Sequence, residues 1–154
     1  MATPTTVDGV EGVKSLVGQE LGPTDWVEIT QDMVNLFADA TGDHQWIHVD
    51  VERAKKESPF GGPIAHGYLT LSLIPRFLPE LTQFTGFGMG VNYGTEKVRF
   101  PSPVPVGSKL RAKTTIDEVT DIKGGVQIQQ TVTFETEGGT KPACVATIVV
   151  RQYV

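Results

Sequence analysis

A carboxylate and an imidazole stand five residues apart in Asp43-His44-Gln45-Trp46-Ile47-His48, and a glycine follows downstream in Ala65-His66-Gly67-Tyr68-Leu69. An ionised carboxylate accepts hydrogen bonds and a neutral imidazole has one donor and one acceptor, so the two can share a water and move its proton. The N–H of Gly67, at the start of an apolar helical run, has no intrahelical acceptor and can hold a carbonyl oxygen as it becomes negative. These groups have the means to add or remove water at a carbon next to a carbonyl. Each has a plainer reading as well. Asp43 can cap the following turn, His48 can be a satisfied packing residue, and Gly67 can let a helix lie close to a strand.

His44, His48 and His66 are the only histidines of the chain. A metal set of Asp43, His48 and either Asp50 or His66 is conceivable, but it follows none of the recognised ligand spacings. No metal or redox cofactor is expected. Gln45 and Trp46 lie between the two reactive residues, where the indole can wall a substrate pocket or, as aromatic side chains more often do, fill the core. Lys97, Arg99, Lys109, Arg111 and Lys113 concentrate positive charge in two strand-like segments. Solvated strand faces account for them, and Arg99 is also a candidate for a phosphate-bearing substrate tail.

The elements that must position these residues follow from periodicity. Trp26 to Ile29 reads as a brief strand. Thr30 is an N-cap signal, and Met33, Val34, Phe37 and Ala40 recur at helical spacing up to Thr41-Gly42, so Asp43 leaves a helix end. Residues 51–56 form a helical turn and Ser58 to Pro63 a loop. Leu69, Leu71, Leu73, Ile74, Phe77 and Leu78 cover most of a helix circumference, which predicts one long helix buried on nearly all sides, kinked or ended by Pro75 and Pro79. Leu110 to Ile116 and Val126 to Glu135 alternate apolar and polar residues, as strands with one wet face do, and Lys123-Gly124-Gly125 joins them as a hairpin. Residues 91–100 and 143–154 are two more strands, the latter apolar enough to be central. Consecutive antiparallel strands wrapped around a buried helix give an α+β arrangement.

Composition narrows the possibilities. A chain of 154 residues fits one domain spanning 1–154. A net charge of -5 and a pI near 5.1 argue against nucleic acid or an anionic bilayer as partner. The single cysteine, Cys144, excludes an intramolecular disulfide framework and suits a reducing cytoplasm. No apolar run reaches the roughly 20 residues of a membrane-spanning helix, and the first residues lack the pattern of a secretory signal. A soluble, unprocessed protein is expected.

Phe37, Thr41-Gly42-Asp43-His44-Gln45-Trp46-Ile47-His48 and Ala54, with Phe60 to Leu73, resemble the two motifs of the MaoC-like dehydratases, the hydratase-2 or (R)-specific enoyl-CoA hydratase group. Val91-Asn92-Tyr93-Gly94, Val98-Arg99-Phe100-Pro101 and Val106-Gly107 extend the resemblance from about Trp26 to the end. It implies a hotdog fold, an antiparallel sheet wrapped around a long central helix. It also implies that Asp43 and His48 are the catalytic pair of an enoyl-CoA hydratase and that Gly67 binds the thioester oxygen. Gln45, Trp46, His66 and Arg99 would then touch the substrate, an acyl-CoA or acyl carrier protein thioester, and the protein would be a homodimer. Gln45-Trp46 replaces the family's usual Asn-Pro, a change that bears on acyl preference. Glu96 stands where close relatives carry a neutral amide. Two other readings use the same residues: a hotdog acyl-thioester hydrolase, and a non-catalytic acyl-binding or assembly subunit.

Overall fold

A computed structural model describes residues 2–154. In chain order the elements are β1 (Thr5–Asp8), α1 (Gly9–Lys14), β2 (Glu20–Leu21), β3 (Val27–Glu28), α2 (Gln31–Thr41), α3 (Trp46–Val49), α4 (Val51–Glu57), α5 (Gly67–Ser72), α6 (Ile74–Leu81), β4 (Thr82–Thr85), β5 (Met89–Arg99), β6 (Lys109–Ile122), β7 (Gly125–Thr136) and β8 (Cys144–Tyr153). The main sheet is antiparallel in the order β2-β6-β7-β8-β5, with β3 also on β6. β8 lies between β7 and β5, the central place its apolar sequence requires.

The alternation of the strands resolves into faces. Leu110, Ala112, Thr114 and Ile116 of β6 and Val126, Ile128, Val132 and Phe134 of β7 are buried. Of these, Leu110, Ala112, Val132 and Phe134 pack with Leu69, Ile74, Phe77 and Leu81 of α5 and α6, with Val34 of α2 closing one side. Phe77 meets Phe134 edge-on, ring centroids 5.6 Å apart. A sheet wrapped on a helical segment is the hotdog arrangement.

Two expectations change. The central helix is two helices broken at Leu73, and Pro75 sits in the first turn of α6, where its missing N–H costs nothing; Pro79 alone lies inside. Nor is the helical segment buried on nearly all sides: Tyr68 is 70% exposed, and Ser72, Pro75, Arg76 and Pro79 also face outward. Residues 5–21 hold two short strands and a helix that periodicity did not reveal, with β1 pairing in parallel with β4. Their side chains build a second apolar cluster in which Val13 and Leu16 pack with Ile116, Val126 and Ile128. Among the described residues no helix is long and apolar enough to cross a membrane.

Candidate active site

The site begins at the end of α2. Thr30 caps its start, its hydroxyl oxygen accepting the Met33 N–H at 3.2 Å. Gly42 ends it in the left-handed region at φ 82°, its N–H bonded to the Ala38 carbonyl at 2.8 Å. This stop turns the chain and sets Asp43 on a short polar link. The Asp43 carboxylate accepts the Gln45 N–H at 3.3 Å, an Asx-type turn that launches α3. One turn of α3 then carries His48 inward, where it is 6% exposed.

Two backbone carbonyls decide how the histidines are protonated. His48 Nδ1 lies 2.7 Å from the Ile64 carbonyl oxygen, which can only accept, so the hydrogen is on Nδ1 and the Nε2 lone pair of the neutral ring is free. His66 Nε2 donates to the Asp43 carbonyl at 3.0 Å and lies 4.0 Å from its carboxylate, while His66 Nδ1 is buried with no partner. The two rings stack at 3.9 Å, and Phe37 covers His66 at 4.9 Å. One functional atom from each of Asp43, His48 and His66 falls within 4.8 Å of the other two. Burial holds the His48 pKa below the ordinary value of 6.5; the Ile64 bond and the Asp43 charge pull the other way, and His66 adds to the lowering.

Carboxylate and imidazole are also metal-ligand types, the set considered from the sequence. Each ring bonds a backbone carbonyl through one nitrogen, as a metal-ligating histidine also does, which leaves the opposite nitrogen of each for an ion. The arrangement is also suited to proton transfer, with a half-exposed carboxylate beside a buried neutral ring.

Gly67 opens α5 directly after His66. A Cβ at this position would lie 3.2 Å from three carbons of the Phe100 ring, so the absence of a side chain here has a packing reason. A cavity of about 380 Å³ borders Gly67, walled by Phe60, Thr70, Phe100 and Val104 among others.

The remaining candidates are less central. Gln45 contributes its backbone N–H to Asp43 while its side chain is exposed. Trp46 carries the Arg53 guanidinium 4.3 Å above its ring, on the flank of the helical layer. Arg99 is exposed at the end of β5, donating to its own neighbour's carbonyl, one residue from Phe100. Two contributors were not foreseen. Gln31 donates to the His48 carbonyl at 2.8 Å and secures α3 to α2, and the Ile64 carbonyl sets the His48 tautomer. Cys144 offers no alternative nucleophile, because burial pushes its thiol up to about 11.

The MaoC like domain model matches residues 13–138. The chain belongs to the MaoC-like family. It is 52% identical over 147 residues to 3-hydroxyacyl-thioester dehydratase Z of Mycobacterium tuberculosis, covering 95% of this chain and 97% of that protein. Nodulation protein N of Rhizobium meliloti is 48% identical over 136 residues, with 87% and 84% covered. Among solved structures, the (R)-hydratase from A. caviae involved in PHA biosynthesis superposes with a TM-score of 0.66 at 25% identity, covering 87% of this MaoC-like chain and 94% of that one.

Proposed function

We propose that this MaoC-like protein is an (R)-specific enoyl-CoA hydratase, a hydro-lyase that reversibly adds water to trans-2-enoyl thioesters to give (R)-3-hydroxyacyl thioesters. The observation that carries this reading is the meeting of Asp43 with a His48 whose proton is fixed on Nδ1. The dehydratase relative supports the substrate class, and the (R)-hydratase likeness supports the stereochemistry.

In the hydration direction His48 Nε2 takes a proton from water while the Asp43 carboxylate orients that water and stabilises the imidazolium that forms. The hydroxyl adds to the β-carbon, and the electron pair of the double bond moves to the thioester oxygen. The Gly67 N–H holds that oxygen as enolate charge develops, and counts for catalysis to the extent that it binds this state more tightly than the substrate. The Asp43–His48 pair then returns the proton to the α-carbon, so the net change is one water added. His66 keeps the Asp43 backbone in place through the 3.0 Å bond.

The acyl group is carried by coenzyme A or an acyl carrier protein, no metal or redox cofactor takes part, and the enzyme works in the cytoplasm as a homodimer of single-domain subunits. The deciding experiment follows purified protein with crotonyl-CoA, reading enone absorbance and free thiol together. Loss of absorbance without thiol release is the expected result. Thiol release would make the protein a thioester hydrolase, and binding without turnover would make it an acyl-binding subunit.

A further inference from the structure

His66 meets both members of the reactive pair. Its Nε2–H donates to the Asp43 carbonyl at 3.0 Å, and its ring lies against that of His48, centroids 3.9 Å apart and planes 26° from parallel. Phe37 backs the same ring at 4.9 Å. The backbone of His66 is the N-cap of α5, so its carbonyl and the Gly67 N–H share one peptide unit. Groups from positions 43, 48 and 67 thus come together on one side chain and its peptide.

Each contact removes a freedom that the pair cannot remove for itself. The bond from His48 Nδ1–H to the Ile64 carbonyl fixes one atom of the ring, but a ring held at one atom can still swing about that bond and carry Nε2 off its line. A flat neighbour against its face stops the swing. On its exposed link Asp43 has two longer bonds, its N–H donating to the Thr41 hydroxyl at 3.4 Å and its carboxylate accepting the Gln45 N–H at 3.3 Å. Both exceed the usual span of a good N–H to oxygen bond, and the bond from His66 lies within it. His66 is a firm anchor because it is 2% exposed, between Phe37 and His48. The same burial sets it behind the pair, although the family resemblance counts it among the substrate contacts.

We infer that His66 is the positioning residue of this site: it holds the Asp43 backbone and the plane of the His48 ring in place beside Gly67, and does not itself touch the substrate. This rests on the hydratase reading above. A reacting group misplaced by about 1 Å can cost about 10²-fold in rate, so the effect belongs in kcat and not in KM.

The test compares purified wild-type protein, His66→Phe and His66→Gln with crotonyl-CoA, with urea unfolding of the same samples. His66→Phe keeps a flat ring against His48 and loses the donor to Asp43; His66→Gln keeps an amide donor and loses the ring. Each is expected to lower kcat by about 10–100-fold with KM within about threefold of wild type, and either variant decides should the other not fold. In an Asp43→Asn background, where the carboxylate that His66 positions has lost its charge, adding His66→Phe should cost less than about threefold, because residues that act through one another do not add. Variants that lose stability but keep the wild-type kcat would make His66 a packing residue and overturn the inference. A rise in KM at unchanged kcat would make it a substrate contact and overturn it too, as would an undiminished loss in the double variant. Absence of hydration by the wild-type protein removes the hydratase reading itself.

Discussion

Asp43 and His48 have separable parts, and single substitutions distinguish them. His48→Gln retains a side-chain amide that can still bond the Ile64 carbonyl but supplies no basic nitrogen, so kcat should fall by about 10²–10⁴ with the fold intact. Asp43→Asn keeps the shape and removes the charge that supports the imidazolium, and a loss of about 10² or more is expected. Near-normal crotonyl-CoA hydration by both variants would refute the assignment. The lowered His48 pKa gives a further expectation. The reactive form is the neutral ring, so the acid limb of kcat/KM should lie below pH 6.5, and a limb above that value would contradict the burial argument. Stability follows the same group. On acidification the unfolded chain binds a proton at His48 first, from about pH 6.5, while the folded ring resists. Stability is therefore lost as pH falls from there towards the folded-state pKa, and His48→Gln should flatten that part of a denaturation-versus-pH curve.

At the scale of elements, the site depends on where helices stop and start. Gly42 has open space where a Cβ would go, so its requirement is the left-handed backbone at φ 82° and nothing else. Gly42→Ala should cost about 1–2 kcal/mol and lower Tm by about 2–8 °C, with Gly42→Asn milder because asparagine tolerates this region. Gly67 has an ordinary backbone and a crowded neighbour. Gly67→Ala needs the Phe100 ring to give by a few tenths of an ångström, and because that ring is 41% exposed the stability change should stay within about 1 kcal/mol, read by urea unfolding. These elements were legible in the sequence to different degrees. Thr30, the apolar spacing after it and Gly42 announced α2 and so placed Asp43, and the residue types and spacing of Asp43, His48 and Gly67 marked the candidate site. The long strands announced themselves because one face is wet and the other buried. The break at Leu73 was not legible, because a proline inside an apolar run reads equally well as an end or as a first turn. β1 and β4 were hidden too, since four-residue strands paired across half of the chain leave no local pattern. The Ile64 carbonyl could not be read either, a backbone acceptor having no signature in residue types.

The whole molecule has an edge to account for. β5 pairs only with β8, and across its eleven residues Val98 alone is even partly buried. Met89, Val91 and Tyr93 are 56, 39 and 59% exposed, and register shifts set Tyr93 and Glu96 out of the ladder as bulges. A long apolar edge strand pairs readily with other chains unless something covers it. A second copy related by a two-fold axis can cover it with the same strand running antiparallel, since a self-complementary patch closes at two subunits. Sedimentation should therefore give twice the 16.7 kDa chain mass at micromolar concentration. Val91→Lys places one new charge on each copy near that axis, so the pair repels itself and the equilibrium should move towards monomer while the inner face of the sheet, which Val91 does not enter, keeps its far-ultraviolet circular dichroism. A wild-type monomer at this concentration, or a Val91→Lys protein that sediments unchanged, would show that this edge is not where the copies meet.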